Sequence, residues 1–305
     1  MDILELKNVR KEFGNLEVIK DLSFTVPRHS VFGFIGKNGA GKTTTMKMIL
    51  GFLAPNAGEI YVCGERVVYG HAKTNRHIGY LPDVPEFYGY MNPKEYLRLC
   101  GEITGLSGEQ ITSRTKELLH MVGLENANRR IRGFSRGMKQ RLGIAQALLN
   151  EPQLLICDEP TSALDPIGRK EILDILSVAR ERTTIVFSTH ILSDVERICD
   201  SIGVLNDGKL VLQGTVQEIK NERRKDVIRV ELGSRDAALG LAEKVKGLPF
   251  VLGVASDENN ILIQLTKAET YGRELMALFV RENISVNRYE LLEPSLENIF
   301  LEVVG

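Results

Sequence analysis

The stretch Gly36-Lys37-Asn38-Gly39-Ala40-Gly41-Lys42-Thr43 fits the pattern G-x-x-x-x-G-K-[ST], which surrounds the phosphates of a nucleotide with backbone N–H groups. The apolar run Val31–Ile35 before it and the helix-forming residues after it give the order strand, loop, helix, which disfavours a chance glycine turn. We expect Lys42 to reach the β- and γ-phosphates and the Thr43 hydroxyl to bind Mg²⁺. The predicted nucleotide contacts of this phosphate loop are Gly36, Asn38, Gly39, Ala40, Gly41, Lys42, Thr43 and Thr44.

Composition limits the class of protein around this loop. The chain has 305 residues, of which 43% are hydrophobic and 26% charged, so we expect a soluble globular protein with one large and one small unit. Its formal charge of −1 provides no general field for nucleic acid or an anionic membrane. Its four cysteines include no C-x-x-C pair, and no apolar run approaches about 18 residues, so we expect a reduced, cytoplasmic protein that does not cross a membrane.

The first two thirds of the chain have the alternation typical of an α/β domain. Apolar alternation predicts strands over Ile3–Val9 and Leu16–Val26, and a hairpin over residues 58–68. From about residue 84 to 152 the apolar spacing is helical, which predicts a helical insert. Strands and helices then alternate to the end of a predicted domain over residues 1–222.

The rest of the chain predicts a smaller domain over residues 226–305. The charged run Asn221–Asp226 precedes it, and three interpretations stay open for this run: a linker, a solvated helix end, or a basic patch that touches a membrane. From Val227 to Leu291 the predicted order is strand, helix, strand, strand, helix, strand, which is a small α+β arrangement of the ferredoxin type. A final helical stripe, which faces either the core or a partner, consists of Leu296, Ile299, Phe300 and Val303.

A second motif carries the chemistry of the α/β domain. The apolar strand Leu154–Cys157 ends in two adjacent carboxylates, Asp158 and Glu159, and Asp158 follows Thr43 by 115 residues (158 − 43). Because an unpaired carboxylate is unfavourable in an apolar setting, we expect a role for this pair beyond that of a polar turn. Asp158 is predicted to hold Mg²⁺, directly or through water, and Glu159 to orient and deprotonate an attacking water.

With these two motifs and three others in the same order, the chain resembles the ATP-binding subunit of an ABC transporter. The segment Phe134–Arg141, FSRGMKQR, occupies the place of the family's L-S-G-G-Q signature, since Ser135 precedes Asp158 by 23 residues (158 − 135). Ser135 and Gly137 match that signature. The resemblance implies that these two residues bind the γ-phosphate of an ATP held by the opposite subunit.

The same resemblance supplies the remaining site residues and the fold. Thr161–Asp165 resembles the family's D-loop, His190 occupies the position of its switch histidine, and Phe13 that of the aromatic residue that stacks on adenine. The implied fold is a P-loop ABC ATPase domain with a mixed sheet core, an antiparallel β subdomain and a helical insert. Pro294–Leu301, PSLENIFL, resembles part of the accessory domain of ATPase subunits in a family of exporters.

Four positions depart from the family pattern. Phe134, Arg136 and Met138 replace the signature's Leu, first Gly and Gln, and the fourth position is 83. Asp83 replaces the usual glutamine, which contacts Mg²⁺ and the water and links the nucleotide to the helical insert. Its shorter, charged side chain can still accept from a water or reach the metal, so it stays a candidate catalytic and metal-binding residue. Arg136 replaces the first glycine of the signature and can either strengthen phosphate binding or point outward.

The resemblance implies partners as well as cofactors. Two ATPase subunits, either two copies of this chain or this chain and a sibling, would enclose two Mg-ATP, with Lys42, Glu159 and His190 acting at the γ-phosphate and the water. An integral membrane permease would hold the pair at the inner face of the membrane, and export is the implied direction. The aromatic segment Pro85–Met91 would transmit closure to the permease, or alternatively pack on its own helices.

Other functions are disfavoured by what the sequence lacks. A soluble ABC-type ATPase that acts on ribosomes or nucleic acid usually carries two cassettes or a long coiled coil, and this chain has one cassette and no sustained heptads. A P-loop GTPase would carry an N-K-x-D motif, which is absent. A regulatory module that binds ATP without hydrolysing it stays an alternative.

Overall fold

A computed structural model describes residues 2–223, 226–292 and 295–304 of the chain. The chain forms two compact units: a larger one that runs to Val216 and takes in the last residues from Val303 on, and a smaller one, Gln217–Glu302. This boundary lies a few residues before the one read from the sequence, and the domains 1–222 and 226–305 stay a prediction. Within the described ranges, no helix combines the length and the apolar character needed to cross a bilayer.

The larger unit contains two sheets, as the sequence predicts for the α/β domain. Its strands are β1 (Asp2–Phe13), β2 (Leu16–Pro27), β3 (Val31–Ile35), β4 (Ala57–Val62), β5 (Glu65–Arg66), β6 (Ile78–Leu81), β7 (Leu154–Asp158), β8 (Thr184–Thr189), β9 (Ser201–Asn206) and β10 (Lys209–Thr215). An antiparallel sheet has the order β2-β1-β4-β5, and a six-stranded sheet has the order β10-β9-β3-β8-β7-β6. The six-stranded sheet is mixed, since β10 runs antiparallel to β9 and the other neighbours are parallel.

The central strands of the six-stranded sheet are fully buried. Every residue of β3, β7 and β8 is buried, which explains why these strands have continuous apolar runs rather than alternation. Two apolar clusters in the chain reflect the two units, and the larger cluster joins residues of the antiparallel sheet to residues of β3 and β7. The fold is therefore the predicted ABC ATPase arrangement of a mixed sheet core and an antiparallel subdomain.

The helices of the larger unit are α1 (Lys42–Ile49), α2 (Pro93–Ile103), α3 (Gly108–Met121), α4 (Arg136–Ala147), α5 (Pro166–Ala179) and α6 (Leu192–Ile198). The helices α2, α3 and α4 form the predicted insert between β6 and β7. Asn92 and Ser107 begin α2 and α3 with capping boxes, in which each side chain accepts from the third helical N–H and that residue's side chain accepts in return. The predicted cap residues of the insert are therefore confirmed.

The smaller unit has the elements α7 (Val216–Glu222), β11 (Val227–Leu232), α8 (Arg235–Lys246), β12 (Val251–Asp257), β13 (Asn260–Leu265), α9 (Ala268–Arg281), β14 (Val286–Leu292) and α10 (Leu296–Val304). Its sheet has the order β12-β13-β11-β14 and is antiparallel throughout, which is the ferredoxin-type arrangement that the sequence predicts. The alternate residues Ile228, Val230 and Leu232 of β11 are buried in its core.

The structure corrects the predicted length of one strand and bears on two segments whose interpretation the sequence left open. The second strand of the predicted hairpin ends at Arg66 and does not extend to Val68, so that prediction was too long. Of the charged run 221–226, Asn221 and Glu222 are the end of α7, which supports the helix-end interpretation for these two, whereas 224 and 225 lie outside the described residues. In the final stripe, Leu296 and Ile299 are buried, as residues that face the core would be.

Candidate functional site

The candidate site lies at the carboxyl edge of the six-stranded sheet. The phosphate loop follows β3, Asp158 ends β7 and His190 follows β8, and these three strands are parallel neighbours in the order β3-β8-β7. Since parallel strands end at the same edge, residues that are distant in the sequence converge there. This edge is where α/β sheets of this kind bind ligands.

Glycines shape the phosphate loop. Gly41 has φ 109°, in the left-handed region, and a Cβ at this position would lie 2.5 Å from Ile19 Cδ1. A Cβ on Gly36 would lie 2.6 Å from the Leu205 carbonyl oxygen. A side chain at Gly36 would require backbone to move, whereas at Gly41 the end of the Ile19 side chain could shift but the left-handed φ would strain any residue other than glycine. Lys42, 6% exposed, begins α1 and donates to the Gly36 carbonyl at 2.6 Å.

Asp158 is held by two hydroxyl groups. Thr43 Oγ1 donates to Asp158 Oδ2 at 2.9 Å, and Ser188 Oγ donates to Asp158 Oδ1 at 2.6 Å. Asp158 is 3% exposed, so both of its oxygens are fixed and largely shielded from solvent. The sequence predicted Thr43 and Asp158 as partners at a metal, and it missed Ser188, whose only signal was its place at the end of a buried strand next to His190.

Glu159 lies between two basic side chains. Its Oε1 is 3.2 Å from Lys42 Nζ, and its Oε2 is 2.8 Å from His190 Nδ1. Its backbone has φ 48°, a left-handed conformation that is uncommon for a residue with a side chain. Two contacts of the Glu159 N–H, to the carbonyl and the hydroxyl of Ser188, both at 3.1 Å, hold it there. Strain of this kind is typical of functional positions.

These groups line one cavity of about 380 Å³. Most of the predicted site residues are among its lining residues, and the sequence reading missed Val18 and Ser162, which also line it. Val18 has no group that signals chemistry, whereas Ser162 lies in the segment Thr161–Asp165 that resembles the D-loop. The predicted site residues in the lining are Asn38, Gly39, Gly41, Lys42, Thr43, Thr44, Asp83, Asp158, Glu159 and His190.

Five predicted site residues lie outside this lining. Gly36 and Ala40 belong to the phosphate loop itself, and the other three lie elsewhere. Phe13 ends β1 with 49% of its surface exposed, and Lys11 Nζ lies 5.0 Å from the centre of its ring. Ser135 is the N-cap of α4 and accepts from the Met138 N–H at 3.2 Å, and Gly137 lies in the first turn of that helix. Their roles at adenine and at an opposite subunit therefore stay predictions.

The residues of the cavity fit both predicted cofactors. The buried Glu159 Oε1 accepts no hydrogen bond within the described chain, although it pairs with Lys42, so an acceptor is left for a ligand or water. The Thr43 hydroxyl and the Asp158 carboxylate, already in contact, are the oxygen ligands that Mg²⁺ prefers, and a nucleotide's phosphates usually complete its shell. Lys42 and the backbone N–H groups of the loop match phosphate oxygens.

Two further ionisable groups near Asp158 stay uncharged at neutral pH. Burial raises the pKa of the Tyr80 phenol to about 12, and the nearby charge of Asp158 adds to the shift. Burial likewise raises the pKa of the Cys157 thiol, which is fully buried, and Asp158 contributes there too. Neither group is therefore a candidate base or nucleophile near neutral pH.

Comparisons with known proteins agree with this geometry. The family model described as "ABC transporter" matches residues 19–162, and "ATP-binding protein DrrA1-3-like, C-terminal domain" matches residues 214–304. The chain is 35% identical to the bacitracin transport ATP-binding protein BcrA of Bacillus licheniformis, over 99% of this chain and 97% of that one. It is 34% identical to the Nod factor export ATP-binding protein I of Ralstonia nicotianae, over 99% and 94%. A solved "ATP binding subunit of ABC transporter" is similar with TM-score 0.66 and 36% identity, over 72% of this chain and 92% of that one.

Proposed function

The chain belongs to the ATP-binding subunits of ABC transporters, which hydrolyse ATP to power transport. We propose that it closes with a second ATPase subunit around two Mg-ATP. This closure would drive a separate membrane permease to export its cargo. The second subunit is either a copy of this chain or a sibling. The permease selects the cargo. The proposal places the chain at the inner face of the membrane, attached through that permease.

One observation carries the catalytic part of this proposal. Lys42, Thr43, Asp158, Glu159 and His190 meet in one cavity although they come from three different strand ends. Burying charged groups is unfavourable unless they are paired, and here each carboxylate has its partners. A purely structural role would not require this set at the edge of the sheet where ligands bind.

Lys42, Glu159 and His190 have separate roles in hydrolysis. When nucleotide binds, Lys42 leaves its ion pair with Glu159 and contacts the phosphates. Glu159 Oε1 can then accept a hydrogen bond from the attacking water. His190, 2.8 Å from the other carboxylate oxygen, fixes the orientation of Glu159. Mg²⁺, held by Thr43 and Asp158, supplies neutralisation of the charge on the phosphates. Positioning and electrostatics of this kind account for most of the catalysis in phosphoryl transfer.

The need for a second subunit follows from where the signature residues lie. Ser135 and Gly137 begin α4, and neither lines the cavity that holds Lys42 in the same chain. In the proposed pair, the N-terminus of α4 faces the nucleotide of the other subunit and adds its unpaired N–H groups to the γ-phosphate. Neither subunit alone has a complete site, so nucleotide binding favours closure.

The permease and the direction of transport have separate support. Tyr88 and Tyr90, in the segment before α2, are 54% and 63% exposed, whereas Phe87 packs edge-on against Tyr96, 5.1 Å between ring centres. The segment thus both packs on its own helix and presents two aromatic rings to a partner. Outward transport is supported by the similarity to the Nod factor export ATP-binding protein I and by the DrrA-like C-terminal match.

A pull-down tests the proposal. Tagged protein with Glu159→Gln, which should hold ATP without hydrolysing it, is purified in detergent from its own cell's membranes in Mg-ATP. We expect a polytopic membrane protein in stoichiometric amount. The matched control is Glu181→Gln, which removes an exposed carboxylate of the same kind outside the cavity.

Two other results would change the assignment. Ribosomal proteins or nucleic acid in the Glu159→Gln sample, without a membrane protein, would identify a soluble ABC-type ATPase and contradict export. A soluble dimer alone would keep the ATPase function and contradict the permease.

A further inference from the structure

Two of the positions that depart from the family pattern contact each other. Asp83 follows β6 and Arg136 is the first residue of α4, and Arg136 Nη2 lies 3.1 Å from Asp83 Oδ1. A glutamine at 83 or a glycine at 136 could not form this ion pair. The replacement of a neutral amide by a carboxylate is therefore matched by the introduction of a guanidinium.

A second contact anchors Asp83 to the same helix. Gln140, fully buried one turn after Arg136, donates from Nε2 to the Asp83 carbonyl at 2.6 Å. The buried amide fixes the backbone of Asp83, whereas its side chain is 45% exposed. The backbone is held and the carboxylate is left able to change partners, because an exposed ion pair is worth only about 0–1 kcal/mol.

The Asp83 carboxylate is shared by two cavities. It lines the nucleotide cavity with Lys42 and Asp158, and it also lines a groove of about 510 Å³ beside the helical insert. Three basic residues, Arg132, Arg136 and Lys139, line that groove, with Glu86 as its other acid. Asp83 thus borders both the nucleotide cavity and a basic groove, and its carboxylate is paired with Arg136, which lines the groove.

We propose that Arg136 is a positioning residue that holds the Asp83 carboxylate against α4 and thereby raises the Mg²⁺ concentration at which nucleotide fills the cavity. A carboxylate paired with a guanidinium is less available to a cation than a free one. The ion pair therefore has to open as the cavity fills, and its opening releases the start of α4. This inference rests on the proposed function of the cavity as a Mg-nucleotide site.

A double-mutant cycle on nucleotide binding tests it. In the Glu159→Gln background, which removes hydrolysis, a fluorescent ATP analogue is titrated with Mg²⁺ for the parent, Arg136→Gln, Asp83→Asn and the double variant. Arg136→Gln should lower the half-saturating Mg²⁺ concentration about threefold, within the range expected for an exposed ion pair. In the Asp83→Asn background, the same change should have no effect.

Two controls separate this effect from a general change of charge. Arg132→Gln removes a positive charge from the same groove without touching Asp83 and should leave the Mg²⁺ dependence within experimental error. Arg136→Lys keeps the charge and should restore most of the parental value. In the nucleotide-free protein, the unfolding midpoint should show a coupling between the Asp83→Asn and Arg136→Gln changes that disappears in saturating Mg-ATP.

Specific results would overturn the inference. Equal shifts for Arg136→Gln and Arg132→Gln, or an Arg136→Gln shift that persists in the Asp83→Asn background, would show that charge in the groove acts without Asp83. If the parent binds no nucleotide at any Mg²⁺ concentration, the proposed function itself is wrong. These results differ, so the two failures can be told apart.

Discussion

The two units differ in whether they bury polar side chains. The larger unit buries Lys42, Asp158 and Asp194 together with a series of hydroxyl and amide side chains, whereas no polar or charged residue of the smaller unit is buried within the described ranges. The core of the smaller unit is apolar throughout. Because buried charges are unfavourable unless they are paired, their concentration in one unit indicates where chemistry takes place.

The difference also separates two kinds of stability. In the larger unit, paired side chains at the sheet edge maintain a geometry, and removing one partner leaves another unpaired. In the smaller unit, the core between the sheet and helices α8 and α9 is apolar, and contacts such as the Lys244–Glu282 ion pair lie near the surface, where single polar changes have small effects. The following predictions test that distinction, beginning with the largest effect.

The largest effect is expected from Glu159→Gln. The change removes the proposed general base while it keeps the size of the side chain, so ATP turnover should fall at least about 100-fold. An ATP-bound dimer should accumulate in size-exclusion chromatography with Mg-ATP. Glu181→Gln, an exposed residue, should have turnover close to wild type. Unchanged turnover in Glu159→Gln would identify a protein that binds ATP without hydrolysing it.

A large apolar deletion in the smaller unit should affect stability and spare the cavity. Leu275 is fully buried in the core of that unit, so Leu275→Ala should cost about 2–5 kcal/mol in its unfolding, measured by urea denaturation. ATP affinity should stay at the wild-type value. Leu239→Ala, on the 44% exposed Leu239 of α8, is the matched control and should cost far less. Loss of ATP binding in Leu275→Ala would contradict the separation of the two units.

A buried polar pair in the larger unit should give a smaller but distinct loss. Asp194, 3% exposed, accepts from Thr161 Oγ1 and from Arg169 Nη2, both at 2.7 Å. Asp194→Asn weakens both charge-assisted contacts and should lower the free energy of unfolding by about 2 kcal/mol. Asp174→Asn, on an exposed pair with Arg197, should cost less than about 1 kcal/mol. Equal losses would mean that burial does not determine how much these pairs contribute to the free energy of unfolding.

Helix caps should give the smallest effect, and the same one in both units. Asn92 caps α2 in the larger unit, and Ser234 caps α8 in the smaller unit by accepting from the Ala237 N–H at 3.3 Å. Asn92→Ala and Ser234→Ala should each cost about 1 kcal/mol, measured by thermal unfolding. A cost in one unit only would show that local signals, and not just buried polar groups, differ between the units.

Features that depend on local sequence could be predicted. The phosphate loop and the caps at Asn92 and Ser107 are short patterns whose geometry is determined by neighbouring residues, and the strand that ends in Asp158 and Glu159 is also a local pattern. The ferredoxin-type unit followed from its alternation of strand and helix patterns, because its core is purely apolar.

Contacts between distant residues could not be predicted. The Asp83–Arg136 pair joins residues 53 positions apart, so each was visible in the sequence only as a separate departure. Val18 lines the cavity and belongs to no motif, and Ser188 contacts Asp158 across 30 positions of sequence. The second hairpin strand was predicted to reach Val68 because Val67 and Val68 are β-branched residues typical of strands, but the strand ends at Arg66.

The most direct measurement of the central claim is calorimetric titration of Mg-ATP into wild type, Lys42→Gln and Lys47→Gln. Both lysines lie on α1, but Lys42 is buried in the cavity and Lys47 is exposed. We predict that Lys42→Gln weakens ATP binding at least about tenfold, as the loss of a charge-assisted contact would, and that Lys47→Gln binds like wild type. Wild-type affinity in a folded Lys42→Gln protein would contradict the assignment of this cavity to the phosphates.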